Sequence, residues 1–138
     1  MPDYQGRAVH IATHQFADTL VVTPAGRIDH RNAAELEATL LPLLADAAER
    51  RGALVLDFAE VEYISSVGLR VLMIAAKQMR GAQARLSVAA LQSVVAEIFS
   101  ISRFDKVLVV HASLEDALAQ ASDAALAAWR AAGGARPT

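Results

Sequence analysis

The sequence predicts an α/β fold: a mixed, mainly parallel sheet of four to five strands, about four helices, and a helical extension at the C-terminal end. Two observations carry this. The run Leu54-Val55-Leu56, closed by Asp57-Phe58, is apolar without alternation, as suits a strand covered on both faces of a parallel sheet. Strand-like and helix-like segments then alternate along the chain in the order β, β, α, β, α, β, α, β, α, which implies parallel strands joined by helices after an antiparallel start.

The first two strands are expected over residues 7–15 and 18–25, around a short turn at Phe16, Ala17 and Asp18. The second contains the β-branched residues Thr19, Val21, Val22 and Thr23. Pro24 and Gly26 predict that it ends there or meets a bulge. Asn32 with Glu35 three residues on resembles a capping box, and Leu36, Leu40, Leu43 and Leu44 recur at helical spacing. Pro42 lies inside that pattern, where an ideal helix loses about 3 kcal/mol, so a kink or a break is expected. Glu49-Arg50-Arg51-Gly52 supplies cations and a glycine where the helix should close.

After the central strand, residues 59–64 read as a short acidic loop. A helix follows over residues 67–80, with Val67, Val71, Ile74 and Ala75 on one side, Arg70, Lys77 and Arg80 at its polar edge, and Gly81 as its stop. A strand over 85–90, a helix over 93–100 capped by Ser93, and a buried strand over 107–110 complete the alternation. Ser113 with Asp116 caps a further helix over 114–121. Residues 1–122 form the expected domain. Residues 123–138 form the extension, helical to about 132 with Leu126 and Trp129 three apart, and disordered from 133. Leu126 and Trp129 either pack back on the domain or form an exposed anchor.

Composition excludes several function classes. At 138 residues, 54% hydrophobic and 20% charged, the chain can bury an ordinary core. A net charge of -2 gives no basic face for nucleic acid. The chain has no cysteine, so disulfides and thiolate metal sites are out. No stretch approaches the roughly 20 apolar residues that span a bilayer, and Met1-Pro2-Asp3-Tyr4-Gln5 lacks the order of a signal peptide, so the cytoplasm is the expected compartment. His10 and His14 have no third ligand near them in sequence, and no Gly-rich phosphate loop or Gly-x-Ser-x-Gly elbow is present. Neither metal, cofactor nor intrinsic enzyme is expected.

Chemistry concentrates at Ser65-Ser66-Val67-Gly68-Leu69-Arg70, where a strand delivers a loop to a helix start. Either serine serves as a helix N-cap, contributing about 1 kcal/mol. A phosphate on a serine in the first turn would meet free backbone N–H groups and the positive end of the helix dipole, so the fold should tolerate it. Asp29, before the first helix, reads as a turn or cap residue. Asp57 reads as a carboxylate satisfied by loop N–H groups or as one that orients the loop.

The run from Val61 to Leu72, VEYISSVGLRVL, resembles the signature loop of STAS domains, and most nearly that of the anti-sigma factor antagonists of bacterial partner switching. Gly26-Arg27-Ile28-Asp29, the strand 54–58 and Ser113-Leu114-Glu115-Asp116-Ala117-Leu118 extend the likeness over about residues 7–120. The resemblance implies the STAS fold. It also implies an unphosphorylated form that binds an anti-sigma factor, a serine kinase of histidine-kinase-like ATPase fold, and frees its sigma factor. Phosphorylation of a loop serine blocks binding, and a metal-dependent serine phosphatase restores it. The family pattern Asp-Ser-(Ser/Thr)-Gly-Leu, aligned on Gly68-Leu69, puts the acceptor at Ser66. Ser65 then stands in place of the aspartate and becomes the alternative acceptor, and Val67 replaces a hydroxyl residue. Asp29, Ser65, Val67, Gly68, Leu69 and Arg70 are the implied docking residues. Two rivals remain: a STAS subunit of a membrane lipid transport complex, and an unmodified scaffold or sensor.

Overall fold

The computed structural model describes residues 10–134. Six strands form one mixed sheet: β1 (His10–Phe16), β2 (Thr19–Ile28), β3 (Ala53–Asp57), β4 (Val61–Ile64), β5 (Arg85–Ala89) and β6 (Val109–His111). Five helices accompany them: α1 (Ala33–Glu49), α2 (Ser66–Gly81), α3 (Ser93–Ile101), α4 (Leu114–Ala121) and α5 (Asp123–Ala131). A 3₁₀ turn, Phe104–Lys106, precedes β6. The sheet order is β1-β2-β3-β5-β6, with β4 paired to β2. Only β1 and β2 are antiparallel; the other pairings are parallel.

The unalternating strands are covered on both faces, as the apolar run implied. Leu20, Val22, Leu54 and Leu56 face a core shared with α1 and α2, whereas Val21 and Val55 face a second core built by α4 and α5. The α/β class, the mainly parallel sheet and the helical extension, here α5, stand as expected, with one more strand, β4, than the sequence indicated.

Several local expectations need correction. Residues 59–64 are not all loop, because Val61–Ile64 is β4, parallel to the end of β2. Of the two expectations for β2, the bulge holds: a register shift between Gly26 and Arg27 carries the strand past residue 25 to Ile28. Gly26, at φ 101°, supplies the left-handed backbone this bulge needs. α1 runs unbroken through Pro42. Leu36, Leu40 and Leu44 are essentially fully buried one turn apart, at about 1.5–3 kcal/mol each, which exceeds the roughly 3 kcal/mol proline penalty while Pro42 faces solvent.

Left-handed backbone after α1 falls on Arg51 (φ 55°), not on Gly52. Gly52 is needed for space instead, since a Cβ there would lie 2.5 Å from the Asp18 carbonyl oxygen. Gly81 is the last residue of α2, and the left-handed residue after it is Gln83. Ser93 is the first residue of α3 rather than its cap; the cap position is Gln92, whose side chain makes no capping bond and donates instead to the Ala59 carbonyl. The segment 107–110 is not a buried strand: β6 begins at Val109, and Val109 and Val110 are exposed on the sheet edge while Leu108 is buried. Ser113 does cap α4, its Oγ accepting from the Asp116 N–H at 3.0 Å.

α5 packs on the second core with Trp129 buried, so the packing alternative holds for that residue. The Gly133 and Gly134 N–H groups close α5 by donating to the Arg130 and Trp129 carbonyls. Residues 7–9 of the expected first strand and 135–138 of the expected disordered tail lie outside the described residues.

Candidate functional site

The site begins with the bulge in β2. Gly26 donates its N–H to the Glu60 carbonyl, and the shifted register then pairs Arg27 with Tyr63 and Ile28 with Ile64. The last rung is the Ser65 N–H donating to the Ile28 carbonyl at 2.8 Å. The chain that leaves β2 at Asp29 and the chain that enters α2 at Ser65 therefore lie side by side at one end of the sheet. Asp29 and the serine loop, 36 residues apart in sequence, are brought together by this rung.

Ser65 and Ser66 have different surroundings. Ser65 is the N-cap: its backbone is extended, its Oγ accepts from the Gly68 N–H at 3.3 Å, and its carbonyl accepts from the Leu69 N–H at 2.9 Å. Ser66 is the first helical residue and is exposed, and among the described residues no hydrogen bond ties its hydroxyl. The first turn of α2 contains no acidic side chain, so the free N–H groups and the positive helix end are not neutralised there.

The other implied docking residues divide by burial. Val67, 44% exposed, and Arg70 project outward, and Leu69 is half-buried against the first core. Gly68 is buried and belongs to the interior rather than to a docking face. A Cβ at Gly68 would come 2.7 Å from Ile64 Cγ1 and 2.8 Å from Ile28 Cγ2, so the glycine lets α2 start directly on the ends of β2 and β4.

Asp29 is also buried, and its carboxylate is occupied. Oδ1 accepts from the Arg31 backbone N–H at 3.0 Å, and Oδ2 accepts from Arg31 Nη2 at 2.9 Å. The hydrogen-bonded Arg31 side chain holds Asp29 below the usual carboxylate range, overcoming the opposite push of burial. Its carbonyl accepts from the Asn32 and Ala33 N–H groups and starts α1. Asp29 thus shapes the turn, and Arg31 carries that turn's charge at the surface. Asp57 is fully buried, and its Oδ1 accepts from the Ala59 N–H at 3.2 Å, within the excursion between β3 and β4.

The sequence reading gave one contributor, Asn32, the role of a helix cap, and missed another, Arg27. Asn32 makes no capping bond to α1; it is buried, with Oδ1 accepting from the Asp29 N–H at 3.0 Å and Nδ2 donating to the Arg27 carbonyl at 2.7 Å. It fastens the Asp29 turn to the end of β2. Arg27 lies over the Tyr63 ring at 4.3 Å, a cation–π contact on the strand pair leading to the serines. Neither shows in sequence, because both depend on the register that the bulge sets. Among the described residues no three His, Cys, Asp or Glu side chains converge as metal ligands.

This architecture agrees with the comparisons to known proteins. The family model described as "Mlab, STAS domain" matches residues 11–111. The chain belongs to the STAS domain family. Relatives matched within that family are named as anti-sigma factor antagonists. One, BtrV of Bordetella bronchiseptica, is 41% identical over 100 residues, 72% of this chain and 84% of the relative. Another, the anti-sigma-F factor antagonist RsfB of Mycobacterium tuberculosis, is 32% identical over 110 residues, 80% and 85% of the two chains. The crystal structure of an anti-sigma factor antagonist from Mycobacterium paratuberculosis superposes with a TM-score of 0.76 at 26% identity, covering 85% of this chain and 97% of that one. No described helix of this STAS domain is long and apolar enough to cross a membrane.

Proposed function

We propose that this STAS domain is an anti-sigma factor antagonist working by partner switching in the cytoplasm, and that it acts by binding rather than by catalysis. In this reading the unphosphorylated chain docks on an anti-sigma factor that is also a serine kinase of histidine-kinase-like ATPase fold. Docking displaces the sigma factor or other target. The kinase phosphorylates Ser66, binding is lost, and a metal-dependent serine phosphatase resets the switch.

The observation that supports Ser66 over Ser65 is the division of labour at the start of α2. The Ser65 oxygen already accepts the Gly68 N–H, while the Ser66 hydroxyl is exposed and uncommitted. Phosphorylation there would add about -1.5 to -2 charge at the positive end of a helix, leaving the fold intact while changing the surface beside Val67 and Arg70. Ser65 and Leu69 border that surface, Gly68 sets its shape from beneath, and the Asp29 turn lies beside it through the Ile28–Ser65 rung.

The test is phosphorylation by the cognate kinase with ATP, read by intact mass. One phosphate per chain is expected, retained in Ser65→Ala and absent in Ser66→Ala. Stoichiometric phosphate in Ser66→Ala would overturn the assignment. If pull-down recovered transporter subunits and no phosphate ever formed, the chain would instead be a constitutive contact in a membrane transport complex.

A further inference from the structure

β6 is too short for its neighbour. β5 begins at Arg85, but its pairing with β6 starts only at Ser87 opposite Val109, so Arg85 and Leu86 have no strand beside them on that edge. A cavity of about 380 Å³ opens there, between the end of α2, the start of β5, the approach to β6 and the last turn of α4. That places it at the opposite end of α2 from Ser66. Met79, Leu86 and Leu108 give it an apolar wall, and Arg80 and Arg85 stand at it with His111.

The charge balance of this cavity is one-sided. Its lining contains two guanidiniums and no carboxylate. Among the described residues Arg80 has no ion pair. Arg85 donates to the Ala121 carbonyl and acts electrostatically on Asp18, whose carboxylate already accepts from the Ser122 and Thr19 hydroxyls. Two cations beside an apolar wall, with no internal anion, fit a ligand having an acidic head and an apolar body. The volume is at the small end of the roughly 300–1,000 Å³ of ligand pockets, which disfavours a nucleotide. A guanidinium fork matches a carboxylate.

We propose that this cavity binds a small amphipathic carboxylate, its head on Arg80 and Arg85 and its apolar body against Met79, Leu86 and Leu108. This site is independent of the switch at Ser66, and its test does not involve phosphorylation. The probe is hexanoate, titrated into the ¹⁵N-labelled chain, with hexanamide as the neutral isostere. Saturable amide shifts are expected at residues 85–87 and 107–109, with hexanamide binding at least about tenfold more weakly. Arg80→Gln should weaken hexanoate by about tenfold with the thermal transition unchanged, a factor typical of losing one charge-assisted hydrogen bond. Absence of saturation up to about 10 mM, beyond the affinity range of a useful small-ligand site, would overturn the proposal. So would equal binding of hexanamide, or shifts centred on other residues.

Discussion

Gly68 shows how one atom sets the position of the candidate switch. A methyl group there would sit 2.7 Å and 2.8 Å from branched carbons of Ile64 and Ile28, both buried and unable to swing aside. Gly68→Ala should therefore destabilise the domain by about 1–3 kcal/mol, the range of overpacked cores, despite alanine's better helix propensity. Urea denaturation would read this as a lower midpoint at unchanged slope; a raised midpoint would show that the strand ends give way freely. Asp29 gives the second residue-scale prediction. Arg31 lowers its folded pKa, so on acidification the unfolded chain takes up the proton first, near the ordinary value of about 3.9. Its stabilising contribution is full above that pH and is lost as pH falls towards the lower folded pKa. Asp29→Asn should flatten the stability profile below about pH 4, as measured by midpoints at successive pH values. Local chemistry of this kind is partly legible in sequence. A pair of serines at a helix start announces a cap, but which serine caps and which is free depends on the Ile28–Ser65 rung. Asn32, read as a cap of α1, had its actual role hidden for the same reason, since its partners come from the end of β2 and the turn before α1.

At the scale of elements, α2 carries its own counter-charge for a phosphate. Ser66 and Arg70 are one turn apart and both exposed, and no acid competes in the first turn. Phosphoserine at 66 would meet the helix N-terminus, worth about 0.3–1 kcal/mol, and Arg70 at i+4, worth about 0.2–0.5 kcal/mol. The phosphorylated domain should thus melt no lower than the unmodified one. Arg70→Gln should remove part of the gain in the phosphorylated form only, which calorimetry of the four species would show. Helices were the more legible elements, because their caps and stripes lie within a few residues of one another. β4 was obscured because four residues, with Glu62 exposed and Tyr63 half-buried, carry too little pattern to stand apart from an acidic loop. They become a strand only because Gly26 shifts β2 to meet them. β6 was misjudged in the opposite sense: its apolar run reads as buried, yet β6 is an edge strand whose Val109 and Val110 are exposed.

For the whole molecule, the sheet divides the chain into a face that presents the proposed switch and a face that does not. α1 and α2 lie on the core with Leu54 and Leu56, and α2 starts at the serines; α4 and α5 lie on the other with Val55. The first division was readable from the unalternating strands, but sequence periodicity had no means of assigning α5 to a face. That assignment comes from Trp129, only 9% exposed among Phe16, Val21, Leu114 and Leu118. α5 also reaches back to β1, and the Ser122 hydroxyl at its N-cap donates to Asp18 in the β1–β2 turn at 2.6 Å. Trp129→Ala should accordingly cost about 3–5 kcal/mol, the range for deleting a buried aromatic, within a total stability of about 5–15 kcal/mol. Denaturant titration would show a large midpoint drop, whereas a merely exposed anchor would leave the midpoint in place. Because α5 and the start of α2 lie on opposite faces of the sheet, Ser66 phosphorylation of the still-folded variant should proceed at the rate of the parent chain. A loss of stability without a loss of phosphate acceptance separates the face that holds the domain together from the face proposed to meet its partners.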